Sequence, residues 1–129
     1  MKNSTLLAIT SLVSILFLIL HITDDIARGI SSVGPSINFI AFPVLALLLY
    51  GALVLGERRS GYIIQLIGAI LASMMPALHM RGRINDIAHS NGGFFFIFTL
   101  LTLGALGMFS FVLAVRGLWS LRKAEARSL

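Results

Sequence analysis

Residues 5–28 read TLLAITSLVSILFLILHITDDIAR. From Thr5 to Ile22 the polar side chains are hydroxyls and one histidine, and none carries a fixed charge. A run of that length matches the roughly 20 residues an α-helix needs to cross a hydrocarbon core. His21, Asp24, Asp25 and Arg28 then crowd the point where such a helix would leave the lipid. The run has the positive start and apolar middle of a signal peptide, but no small-x-small cleavage site follows it, so it is expected to stay as a first helix. Thr10, Ser14, His21, Asp25 and Arg28 stand at i, i+4, i+11, i+15 and i+18, which aligns them on one helical face directed inward rather than at lipid.

The rest of the chain has the same character. Hydrophobic residues make up 57%, charged residues 12%, and mean hydropathy is +0.96, values far from those of a soluble domain. The expected fold is all-α: a polytopic membrane protein, a single domain over 1–129, built as an up-down bundle of four transmembrane helices. These are placed at about 5–23, 37–56, 61–80 and 93–117, with a basic tail over 118–129 that continues the last helix into the interface. Gly29, Ser31, Ser32, Gly34 and Pro35 make the first loop dense in turn residues, and Ser36 or Asn38 can cap the second helix. Pro43 bends that helix in its first half, and Glu57-Arg58-Arg59-Ser60 is a tight charged turn. Gly68 and Ala72 give the third helix a small-xxx-small notch, and Gly104 and Gly107 notch the fourth.

The net charge of +5 does not point to nucleic acid, because the basic residues sit at the ends of apolar runs and form no stripe interleaved with aromatics. With four spans, Lys2, Arg58, Arg59, Arg116, Arg122, Lys123 and Arg127 share one side, and Arg28, Arg81 and Arg83 the other. The larger basic set marks the cytoplasmic face, so both termini are expected there, in a bacterial cytoplasmic membrane. The expected partners are the lipid bilayer and other membrane subunits or further copies of the chain. The absence of cysteine excludes disulfides, thiolate metal sites and thiol redox chemistry.

All three histidines fall on the outer side. Leu20-His21 followed by Asp24-Asp25-Ile26-Ala27 resembles Leu78-His79 followed by Asn85-Asp86-Ile87-Ala88, and Gly51-Ala52-Leu53 resembles Gly104-Ala105-Leu106. These echoes suggest a tandem duplication of a two-helix hairpin, which would bring two polar collars together. The simplest account of the collar is structural: Asp24, Asp25 and Asp86 balance Arg28, Arg81 and Arg83 through ion pairs and capping.

Two chemical accounts stand beside it. In the first, His21 and an aspartate three or four residues on, completed by His79 or His89, form a metal site, or His21 and His79 clasp a haem. In the second, His21 or His79 is a base oriented by Asp25 or Asp86, while Arg28, Arg81 and Arg83, with Asp24 and His89, hold the polar part of a lipid-like or redox substrate. Coupled transport is disfavoured, since the helix middles hold hydroxyls and Gln65 but no ionisable group. The expectation is therefore a small integral membrane binding or accessory protein with an outward-facing His/Asp/Arg collar. The alternative is a membrane enzyme or metal or haem protein using that collar, and no motif names a cofactor.

Overall fold

The computed structural model describes residues 1–28, 36–79, 87 and 89–127, and their side chains except at 28 and 36–39. Among these the chain is all-helical and without strands: α1 (Asn3–Arg28), α2 (Ser36–Leu53), α3 (Arg59–His79) and α4 (Gly93–Arg127). Three of the helices, α1, α3 and α4, are long and apolar enough to cross a membrane. The described apolar part of α2, Ile40–Leu53, is shorter. The basic tail is helix to Arg127. At 35 residues α4 extends about 52 Å, well beyond a hydrocarbon core of about 30 Å, so in a bilayer one end of it must emerge. The second helix closes at Leu53, earlier than the pattern suggests: the Val54 amide makes the last regular bond, to Tyr50, and the Leu55 amide then reaches five residues back to the same carbonyl.

Burial departs from the soluble pattern: apolar side chains such as Leu7, Leu100, Leu103 and Leu113 share the interior with polar ones, and large apolar side chains also cover the outside. The interior holds Thr10, Ser11, His21, Gln65, Thr99 and Ser110, whereas Leu16, Phe42, Ile67, Leu71, Leu101 and Val112 face outward. Water would penalise an exterior of this kind and lipid does not. Interior hydroxyls are mostly settled within their own helices: Thr10 donates to the Leu6 and Leu7 carbonyls and Ser14 to that of Thr10.

The most extensive interface joins α3 to α4, the next α1 to α4, and α2 leans on α3 and α1. Glycine sets the α3–α4 distance. A Cβ at Gly107 would lie 2.5 Å from the Ser73 amide nitrogen and 2.9 Å from the Ala69 carbonyl oxygen, so helix backbone meets helix backbone. A Cβ at Gly104 would lie 2.6 Å from Pro76 Cγ, and one at Gly117 would strike the Tyr62 ring. Pro76 thus seats in a notch on α4 while α3 runs through it without a break. Gly51 meets Ile64 and Gln65 of α3, so the two glycines aligned by the suggested hairpin repeat have unlike surroundings.

The two ends of the bundle differ in chemistry. At one, Asn3 donates to the Leu113 carbonyl (2.9 Å), Ser4 donates to Glu57 (3.2 Å), and Lys2 stands 3.8 Å from Glu57. The start of α1, the α2–α3 turn and the later part of α4 therefore meet at the arginine-rich end. The histidines gather at the opposite one.

Candidate functional site

His21 is reached by the face of α1 that packs on α4, and there it is only 1% exposed. Its ring lies 4.6 Å from that of Phe96 and 5.1 Å, edge to face, from that of His79 at the end of α3. His79 is also 6.0 Å from Phe96, so three rings from three helices form one cluster. Ile87, ahead of α4, packs with Phe96 and Leu100 and covers it. A turn places Ile87 there: Ser90 returns both its amide and its hydroxyl to the Ile87 carbonyl, and Gly92, at a φ of 76°, starts α4.

The hydrogen bonds assign the ring protons. Thr99 has one hydroxyl proton and gives it to the Phe96 carbonyl (2.9 Å). Its oxygen, 3.2 Å from His21 Nδ1, is then an acceptor, and Nδ1–H of His21 donates to it. His79 Nδ1 lies 3.1 Å from the Met75 carbonyl, which only accepts, so it too carries the proton. In the neutral ring the other nitrogen is then a bare lone pair. Nε2 of His21 is buried without a partner among the described residues.

Beside this cluster a cavity of about 420 Å³ opens between α1, α2 and α3, with Leu103 and Ser110 of α4 behind it. Its walls are apolar, drawn from Leu18, Val44, Leu45, Leu48, Ala72 and Met75 among others. Polar groups occur toward its ends. Asp25 and His79 stand at one, and Asp25 Oδ1 is buried without a partner among the described residues. Ser11, Gln65 and Ser110 stand toward the other, with the Ser110 hydroxyl in the same condition. Asp25 is fourteen positions beyond Ser11 on α1, so the lining residues of that helix span a rise of about 21 Å. Gln65 holds its α2 wall, donating to the Leu48 carbonyl at 2.8 Å.

The structure therefore brings His21, His79 and Asp25 to one end of the bundle, though His21 sits inside the packing rather than on a rim. Asp24 is half-buried nearby on α1, and His89 is exposed in the turn before α4. Asp86, Arg81 and Arg83 lie outside the described residues, as does the side chain of Arg28. Among the described residues no group of three or more His, Asp or Glu converges on a metal position. The His21 and His79 rings stand in edge contact, 5.1 Å between centroids.

Two residues that complete the cluster carry no chemical signal in sequence. Phe96 is one of three consecutive phenylalanines. It is 2% exposed where Phe94 is 80% exposed, and only the phase of α4 separates them. Thr99, three residues on, follows from the same phase. No family model, curated protein or solved structure matches the chain.

Proposed function

We propose that the chain is a small polytopic membrane protein of four spans that binds an amphiphilic small molecule in the cavity between α1, α2 and α3. At 18 residues α2 is about 27 Å long, close to the hydrocarbon thickness, and serves as the fourth span. The arginine-rich end with both termini faces the cytoplasm and the histidine end the other side, following the distribution of Lys and Arg. The reading does not need the two hairpins to be copies of one another.

One observation carries the reading: an apolar cavity between three helices has Asp25 and His79 in its wall toward one end. A volume of about 420 Å³ falls in the range of small-molecule sites, where apolar walls supply affinity and a few polar groups fix orientation. Purified protein should carry a bound amphiphile, detected by mass spectrometry of its organic extract, near one per chain. Ser14→Phe from α1 and Leu45→Trp from α2 both push bulk into the cavity. Each should remove the bound molecule while the protein stays helical and monodisperse. An extract identical to bulk lipid for wild type and both variants would refute the binding role.

The enzyme and metal readings use the same side chains. Their support is that both Nδ1 atoms are anchored by protein acceptors, the arrangement that orients imidazoles for ligation or proton transfer. What they lack among the described residues is a third ligand for a metal.

A further inference from the structure

Resting on the cavity reading, we infer what the cavity takes and how it enters: one hydrocarbon chain of a bilayer lipid, which slides in sideways between α2 and α3 while its head stays at the histidine-end surface. The two helices are pinned near their turn. There a Cβ at Gly51 would lie 2.7 Å from Ile64 Cγ2, and one at Gly68 2.5 Å from Leu48 Cδ2. Gln65 adds its bond to the Leu48 carbonyl. Toward the histidine end the cavity is bordered instead by Ile40 and Val44 of α2 and by Leu71 and Leu78 of α3. These four side chains are also outer surface: Leu71 and Leu78 are 55% and 57% exposed, whereas Ile15, which lines the cavity from α1, is 6% exposed. Spacings of four on α2 and seven on α3 put each pair on one face of its helix. A cavity whose lining is also outer surface along two neighbouring helices has its mouth there, and in a bilayer that mouth opens on lipid.

Such a mouth passes a tail and not a head. Its side chains are apolar, so a hydrocarbon chain crosses them freely, whereas a phosphate or ammonium group would have to shed its water against them. The slot also runs along the helices, parallel to the chains of the lipid beside it, so a tail enters by one sideways step. The lining residues of α1 rise about 21 Å, more than the roughly 15 Å that one leaflet contributes to the hydrocarbon core, so a chain of one leaflet fits lengthwise. Direction follows from the ends. The titratable side chains of the lining, Asp25 and His79, stand at the histidine end, and Leu48, seated on Gly68 and Gln65, closes the other. No described lysine or arginine lines the cavity, so nothing in it is built to hold a phosphate. A tail gains no hydrophobic energy on moving from lipid to protein, so the fit of the walls decides occupancy.

The experiment uses the full chain in phosphatidylcholine nanodiscs that contain a photoactivatable phosphatidylcholine, with a diazirine near either the carboxyl end or the methyl end of one acyl chain. Labelled positions are read by peptide mass spectrometry. The carboxyl-end probe should mark Ile22 and the methyl-end probe Ile15, seven residues deeper on the cavity side of α1. Leu16 and Leu101, which face outward and do not line the cavity, give the reference for ordinary lipid contact. Leu71→Trp and Val44→Trp fill the mouth from different helices, so a folding defect in one does not decide the matter. Each should lower the Ile15 and Ile22 label about tenfold relative to the reference, because overpacking disfavours a chain held by fit alone. Val112→Trp, on the outer face of α4, should leave it unchanged. Interior label that survives both mouth variants, or the reverse depth order of the two probes, overturns the inference. So does an unlabelled interior in the wild type, and if the wild-type extract then still holds an amphiphile that Ser14→Phe lacks, the cavity reading stands with a different occupant. An unlabelled interior together with wild-type, Ser14→Phe and Leu45→Trp extracts that are alike overturns the cavity reading itself.

Discussion

The two sides of α3 are packed by opposite rules. Toward α4 it presents Ala69, Ala72, Ser73 and Pro76 to glycines, and a Cβ at Gly107 would meet α3 main chain. Toward α2 it presents Gly68 to the tip of Leu48 and Gln65 to a carbonyl, and leaves a cavity between them. Helices in lipid have no hydrophobic force between them, so close backbone approach and a few hydrogen bonds hold them together. The first side spends its small residues on contact and becomes a fixed frame. The second spends them on space, and α2 becomes a wall that one side-chain amide helps hold in place.

The harshest way to break this contrast is Gly107→Leu. Main chain cannot swing aside as a side chain does, so α3 and α4 must separate, at a cost of about 3 kcal/mol or more. Titration with sodium dodecyl sulfate in mixed micelles should show a much lower unfolding midpoint. A midpoint like the wild type's would mean that the frame is not where the stability lies.

Gln65→Leu should cost about 1 kcal/mol, the size of one interhelical hydrogen bond. Its signature is local: amide exchange should rise over Ile40–Leu53 and stay unchanged in α4. Equal acceleration in both helices would erase the distinction between frame and wall.

Gly68→Ala sharpens the contrast at its mild end. The new Cβ would lie 2.5 Å from Leu48 Cδ2, the far end of a side chain with cavity beside it, so Leu48 can rotate. The gain in helix propensity over glycine offsets the crowding, and stability should move by less than about 1 kcal/mol in either direction. A loss as large as that of Gly107→Leu would show that α2 is as tightly fitted as α4.

Much of the frame was legible in advance. The apolar runs predict four helices, and Gly104 and Gly107 predict close packing on the fourth, because span length and small-residue spacing are local properties. The partners of those glycines were not legible. Gly68 and Ala72 read as a helix-packing notch, and each does meet another helix, but not the same one: Gly68 faces Leu48 of α2 beside the cavity and Ala72 faces Gly107 of α4. A small residue permits contact and permits a gap equally, and only the neighbouring helix decides which occurs.

The candidate site divides the same way. His21, Asp25 and His79 were readable as one polar group because each interrupts or ends an apolar run near the same expected boundary. Phe96 and Thr99 were not, since a phenylalanine or threonine inside an apolar run reads as filler.

By itself, the order of residues determined that this chain is helical, that its long helices are apolar enough to cross lipid, and that histidine and aspartate collect away from most of its arginines. These follow from composition and period, which need no neighbour. Tertiary packing alone decided that His21 is sealed against Phe96 and that Thr99 and Met75 take the ring protons. It also decided that three helices stand apart far enough to leave a cavity. Those are properties of the spaces between helices, and a space has no residues of its own for a sequence to spell.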